Sequence, residues 1–399
     1  MKKKRVLILG AGFLQTYIIR KAKAFGYYVI AVDGNPNAPG FSYADHSETI
    51  DIVDAARCLA FAKEQQIDGV MTAATDYGVV CAAVIAEALK LPGIGVQTAK
   101  TIRDKYAVHE LLRINKVDDS GPAYQIFSRE DIAGIVPLIE YPIMIKPCDG
   151  SGSRGVTRAD NEDELGAALD AAGTASKTGN VLIQRFISGT EYGAEAVVCD
   201  GVPLVLAVMQ KWMTPPPHYA ELGHAVPSGL PEVVEKKARD MIIQAISGLG
   251  IHTGAVNIDF LISRDETIHI IDVGARMGGN LIGSHIVPIG TGYDYMGNLL
   301  RMAVDDPIDL PKISRINPVV TRLLALPPGT VKTLPDFEAI EKRCRVTIVH
   351  CLKAGSRITS YRTNLDGCGY IIAAGSDVVQ AEQRALAALR EIEQSIIRY

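Results

Sequence analysis

Apolar residues in the first hundred positions come in short runs, separated by longer stretches where apolar and polar residues mix. Residues 5–9 (RVLIL), 28–32 (YVIAV) and the runs near 48–52 and 67–72 read as buried strands. Between them, residues 13–25 and about 54–65 read as helices, the first closed by Gly26. A glycine just past a helix supplies the left-handed residue that stops it. Strand, helix and strand at this spacing predict a parallel, doubly wound sheet. From about residue 120 the pattern changes. Strand-like runs fall near 123–127, 142–147 and 181–187, and helices are predicted over 161–172 and 231–248. AVVCDGVPLVLAV (196–208) carries Asp200-Gly201 between two apolar runs, a strong hairpin signal. Residues 253–273 predict a second hairpin, followed by helices near 281–288 and 293–303. The tail, 318–399, alternates strand and helix and ends in a long amphipathic helix over 377–397.

Composition narrows the classes. At 399 residues the chain exceeds what one hydrophobic core supports, so two or three domains are expected. The hydrophobic fraction of 48% and charged fraction of 22% are those of an ordinary globular protein. A net charge of −4 argues against nucleic acid as the main ligand, because phosphate backbones call for a basic surface. No apolar run reaches the roughly 18 residues of a membrane span. The start, MKKKRVLILGAGFL, lacks a cleavage-site pattern and reads as a first strand, not a leader. Seven scattered cysteines without a CxxC suit a reducing cytoplasm.

Three motifs carry chemistry. GAGFLQ (10–15) opens like a dinucleotide fingerprint, with Asp33 one strand–helix–strand step later. Gln15 replaces the third glycine, which permits close helix–strand packing, so a tight turn without a dinucleotide fits better. KPCDGSGSRGV (146–156) places Lys146 at a strand end before a loop containing Ser151, Gly152 and Ser153. Such a loop can bring backbone N–H groups close to phosphate oxygens. NIDFLISRDETIHIID (257–272) is the third. A symmetric hairpin with an even-sized turn centred on Asp265-Glu266 would set Asp259 opposite Asp272. Opposed side chains lie about 4.5–5.5 Å apart at Cβ, so two carboxylates there call for a cation between them. Oxygen-only ligation suits Mg²⁺. Arg276, four residues on in a turn with Gly274, Gly278 and Gly279, could reach a phosphate beside that metal with its planar fork of donors.

With these motifs in this order, the chain resembles the ATP-grasp superfamily over roughly residues 1–305. AELGHAVPSGL (220–230) and DVGARMGGN…HIVPIGTGYDY make it most similar to carboxylate–amine (L-amino acid) ligases and to carbamoyl-phosphate-synthase-like proteins. The resemblance implies an α/β (α+β) class. Its elements would be an N-terminal doubly wound parallel-sheet domain (1–104), a smaller subdomain with the glycine loop (105–190), a larger subdomain with metal and catalytic residues (191–310), and a C-terminal α/β region packing on it (311–399). ATP and Mg²⁺ would be the cofactors. Lys105 and Lys146 would contact phosphates, and Ser151, Gly152 and Ser153 would belong to a mobile lid over them. Gln184, Arg185, Phe186 and Ile187 would form the hinge that meets adenine, and Glu191 would hold the ribose. Asp259 and Asp272 would ligate metal, and Arg276 would stabilise the transferring phosphoryl group. Glu221, His224, Gly278 and Gly279 would frame the substrate.

The implied reaction is activation of a carboxylate by ATP and its attack by an amine. Its partners would be small-molecule substrates, with a homodimer possible and no nucleic acid or membrane. Three departures stand out. Gly274 replaces a metal-ligating asparagine common in relatives, both acidic ligands are aspartates, and Gln184 replaces a frequent glutamate. Asn257 or Asn280 could compensate. A carboxylase or carbamoyl-phosphate-synthase-like enzyme using ATP and bicarbonate, and a non-catalytic ATP-binding homologue, are the alternatives. Lys211-Trp212 is expected on a proline-stiffened loop, either closing over substrate or merely at the surface.

Overall fold

The computed structural model describes residues 3–118, 120–216, 218–310, 313 and 315–399. The N-terminal strands Arg5–Leu9, Tyr28–Asp33, His46–Thr49 and Gly69–Thr72 form a parallel sheet in the order third, second, first, fourth. Alternate residues of the first strand face opposite layers. Val6 and Ile8 pack with Ile18, Ile19 and Ala22 of the helix Thr16–Ala24. Leu7 and Leu9 pack with Phe61, Ala62, Ile85 and Ala86 from two helices on the other face. The sheet is therefore doubly wound. Gly26 takes φ +80 just past the first helix, the role expected of it.

A second, four-stranded antiparallel sheet orders Ala123–Ile126, Val181–Arg185, Ile143–Pro147 and Thr157–Ala159. The helix Glu162–Ala175 covers it, with Leu165, Ala168, Leu169 and Ala172 buried. Asn161 caps that helix by accepting from the Glu164 N–H.

An eight-stranded antiparallel sheet forms the largest layer. It starts with the hairpin Gly254–Ser263 and Ile268–Gly274, continues through Gly189–Cys199, Val202–Met213 and Glu221–Val226, and ends with three strands of the tail. Those three, Val319–Leu323, Gly369–Ala374 and Thr347–His350, extend the same sheet rather than packing on it as a separate layer. Asp200 (φ 49) and Gly201 (φ 79) join two of the strands in the two-residue turn their sequence predicts.

Four expectations need correction. Residues 281–288 form a π-helical turn, Ile282–Ile286, followed by a short helix, Val287–Thr291. The last helix ends at Ser395, and Ile397–Arg398 pairs as a strand with residues 331–333. Lys211 and Trp212 lie in the strand Val202–Met213, opposite His224 and Gly223, not on a loop. The hairpin turn is not even-sized: Ser263 N–H donates to Thr267 C=O, leaving three residues between them, with Glu266 at φ 61. Among the described residues no helix is long and apolar enough to cross a membrane.

Candidate active site

The three-residue turn ought to spoil the pairing of Asp259 with Asp272, yet the two are partners. Phe260, Leu261 and Ile262 oppose Ile270, His269 and Ile268; past a bulge at Ile271, Asp259 opposes Asp272 and Ile258 opposes Val273. The extra residue reverses the alternation of faces. Ile270 and Val273, three apart, both enter the core, and Asp272 turns with Asp259 to the other side. The bulge also turns the Ile271 carbonyl to Lys146, whose Nζ donates to it at 3.2 Å.

A cleft of about 550 Å³ lies over these residues, between the eight-stranded sheet, the four-stranded sheet and the N-terminal domain. Lys105, Lys146, Ser151, Gly152, Ser153, Gln184, Arg185, Phe186, Ile187, Glu191, Glu221, Asp259, Asp272, Arg276 and Gly279 all line it. His224 and Gly278 do not. His224 is buried, with Nε2 3.7 Å from Glu221 Oε1. Gly278 gives its N–H to Glu195 at 2.9 Å, and a Cβ there would come within 2.8 Å of the Glu195 carboxylate. Both sit behind the wall they were expected to form.

One end of the cleft is cationic. Lys105 opens the helix Lys105–Ile114, capped by Asp104, and its Nζ lies 2.5 Å from Asp272 Oδ1. Lys146 is buried; burial, then the Lys105 ammonium, lowers it from the ordinary 10.5 to about 8. The glycine loop lies down across this end. Ser151 Oγ donates to Asp76 Oδ2 at 2.7 Å, Ser153 Oγ donates to the Tyr219 carbonyl at 3.2 Å, and Arg154 bonds the Tyr77 hydroxyl. The hinge backbone breaks between Arg185 and Gly189, with Met144, Val156, Leu261 and Ile271 as apolar walls nearby. Two lysines, an apolar slot and a pair of facing carboxylates suit a nucleoside triphosphate with a divalent cation.

Arg276 is held by Asp76, which the sequence did not single out, and by Asn257, which it offered only as a substitute metal ligand. Arg276 Nε and Nη2 each lie 2.9 Å from the carboxylate of Asp76, and Nη1 donates to Asn257 Oδ1 at 3.2 Å. Burial works against the charge on Asp76, but Arg276 and Arg103 hold its carboxyl well below the usual range. Asp76 follows the last parallel strand of the N-terminal sheet, where α/β sheets bind ligands. That position was an available signal. Gly274 is explained here: a Cβ on it would come within 2.9 Å of the Arg276 guanidinium carbon and 3.0 Å of Asp76 Oδ1. An asparagine there would collide with the ion pair. Asn257 and Asn280 are both engaged elsewhere. Asn257 donates to Glu195 at 3.0 Å, and Asn280 bonds Glu221 and accepts from Tyr370 at 3.0 Å. Glu195 is fully buried, and burial pushes it up to about 7 although Gly278, Tyr295 and Asn257 donate to it.

The cleft also has an acidic part, around Glu191, Glu221 and Asp259. Glu221 accepts from Asn364 Nδ2 at 2.7 Å and from Asn280, while its backbone N–H donates to Asn364 Oδ1 at 2.9 Å. The Tyr361 hydroxyl donates to the Glu221 carbonyl. Tyr361 and Asn364 belong to the tail, so the tail completes this part. Lys211 lies among Glu191, Glu221 and Asp259. Burial opposes ionisation of Glu221, but Lys211 and His224 hold it well below its usual range. Burial pushes Asp259 up to about 6, against Lys211 and with Glu221 and Glu191.

This is the ATP-grasp fold. The ATP-grasp domain family matches residues 139–284, and L-amino acid ligase C-terminal domain 2 matches residues 322–396; the chain carries both. ATP-grasp enzymes of this ligase kind use ATP and Mg²⁺, the pair the cleft suits. The L-amino acid ligase of Bacillus licheniformis is similar in structure over 100% of both chains, with a TM-score of 0.84 and 23% identity. The biotin carboxylase domain of the Hydrogenobacter thermophilus 2-oxoglutarate carboxylase, solved with MgADP, ADP and bicarbonate, covers 100% of this chain and 91% of its own, with a TM-score of 0.78 and 17% identity. A formate-dependent phosphoribosylglycinamide formyltransferase of Burkholderia vietnamiensis is 26% identical over 273 residues, 66% of each protein.

Proposed function

We propose that this chain is an ATP-dependent carboxylate–amine ligase whose substrate at the acidic part is an amino acid. The observation that carries this is Glu221, ionised beside Lys211 and held in the cleft by Asn280, Asn364 and Tyr361. A fixed carboxylate there attracts the ammonium of an amino acid and repels bicarbonate. The match of the tail to an L-amino acid ligase domain supports the same reading.

ATP supplies the phosphoryl group, and Mg²⁺ shields its charge. The substrate carboxylate attacks the terminal phosphorus and ADP leaves. An amine then attacks the acyl phosphate, giving an amide and phosphate. In this scheme Asp259 and Asp272 would hold the metal, Lys105 and Lys146 would face phosphate oxygens, and Arg276 would face the charge that develops on the phosphoryl group. Ser151 and Ser153 hold the loop shut over them. Glu191 takes the ribose hydroxyls.

Release of ADP and phosphate across a grid of amino-acid pairs, with and without bicarbonate, tests the proposal. Release that requires two amino acids and yields a dipeptide mass is expected. Release that requires bicarbonate would replace the ligase with a carboxylase.

Lys146 gives a pH dependence. The neutral amine carries no charge toward phosphate, so nucleotide affinity should fall by up to about tenfold per pH unit above pH 8. Titration of ATP between pH 7 and 9 measures it, and flat affinity would remove Lys146 from the phosphate contacts. Stability runs the other way. Between about 8 and 10.5 the unfolded chain binds the proton and the folded one does not, so this group's contribution to stability rises with pH there.

A further inference from the structure

The scheme above gives no task to Lys211, which lines the cleft. Its side chain is 1% exposed, and Nζ lies 2.6 Å from Glu191 Oε1, 2.6 Å from Glu221 Oε1 and 3.0 Å from Asp259 Oδ1. An ammonium has three N–H donors and no acceptor, so three carboxylates use it completely. The three acids each offer an oxygen within 4.8 Å of the others. Oxygens so gathered would suit a divalent cation if the lysine were absent.

The backbone arranges this meeting deliberately. Lys211 stands on the strand Val202–Met213, between the strand that carries Glu191 and the one that carries Glu221. Asp259 is one strand further away, and its partner on the intervening strand is Gly193. A Cβ at Gly193 would already touch both Lys211 Cδ and Asp259 Oδ1, at 3.6 Å each. The missing side chain leaves the path by which the lysine reaches over that strand.

We propose that Lys211 is a resident cation: it occupies a three-carboxylate position that would otherwise take a divalent ion, and it holds Glu191, Glu221 and Asp259 together as one positioned unit. Divalent metal is thereby confined to the Asp272 side of Asp259. Lys211 is a positioning residue, and the proposal rests on the ligase reading only in taking Asp259 as a metal ligand.

The test is Mn²⁺ binding to the full chain without nucleotide, with free Mn²⁺ counted by electron paramagnetic resonance. Lys211→Ala should bind about one more Mn²⁺ per chain than the wild type. Lys211→Arg, which keeps the charge, should bind the wild-type number. Adding Glu221→Gln to Lys211→Ala should remove the gained ion. An unchanged count in Lys211→Ala would overturn the proposal. If Lys211→Ala is unfolded in metal-free buffer, millimolar Mn²⁺ should restore its melting transition while barely moving that of the wild type. No recovery would equally overturn it. Because nucleotide is absent, a protein that fails to bind ATP would sink the ligase reading and leave this count untouched.

Discussion

Arg276→Ala should lower kcat by about 100-fold or more while changing ATP affinity little. The expectation follows from where the guanidinium sits. It is the cation at the junction of the acidic pair and the glycine turn, and it is fixed in place before any substrate arrives. A preorganised donor aimed at developing charge lowers the barrier without tightening the ground state. The substitution has a second consequence. Asp76 would remain buried without its partner, and breaking a buried pair from one side costs about 3–5 kcal/mol. The melting temperature should therefore fall together with the rate. Adding Asp76→Asn to Arg276→Ala should recover much of the stability and none of the activity. Steady-state kinetics and thermal melts on the two variants separate the roles. A variant that loses nucleotide affinity with kcat unchanged would show that Arg276 binds ATP and does not act in the transition state.

Asp272→Asn should abolish Mg²⁺-dependent turnover and leave the fold intact. Asparagine keeps the volume and removes the charge, so Lys105 loses its partner at the same moment as the proposed metal site loses a carboxylate. The carboxylate itself is more than a third exposed toward the cleft, so its removal opens no cavity in the core, although the largely buried Lys105 ammonium loses its ion pair and the melting temperature should fall modestly. Turnover measured against Mg²⁺ concentration, alongside a thermal melt, checks both halves. Turnover retained at ordinary Mg²⁺ would remove Asp272 from the metal site.

Much of this architecture was legible in the apolar pattern because it is local. The parallel strands, the Asp200-Gly201 turn and the helices over 162–175 and 232–248 each depend on residues within a turn or two. The tail was legible only as alternation. That Val319–Leu323 pairs with Glu221–Val226 depends on contacts nearly a hundred residues apart, and no local periodicity encodes them. The meeting of Asp259 and Asp272 was foreseen through a turn that does not exist. An odd loop shifts the ladder one way and the bulge at Ile271 shifts it back, so two unseen irregularities cancel. Asp76 and Glu195 were missed because their roles come from partners 200 and 83 residues away. Lys211 was misplaced because prolines after it suggested a loop, while VPLVLAVMQKWM continues the alternation of a strand into it. His224 was drawn toward substrate by its neighbour Glu221, although burial leaves it behind the wall.

The bulge at Ile271 sets regularity against chemistry. Were the ladder to run unbroken from its three-residue loop, Asp259 would face Ile271, and Asp272 would oppose Ile258 on the side of the core. Such a hairpin would be the more regular sheet, without the facing aspartates proposed to hold the metal. Selections for heat resistance, or redesigns that reward ideal strands, would push this chain toward that outcome. Anyone engineering it for durability should hold the segment 268–274 fixed and look for gains elsewhere.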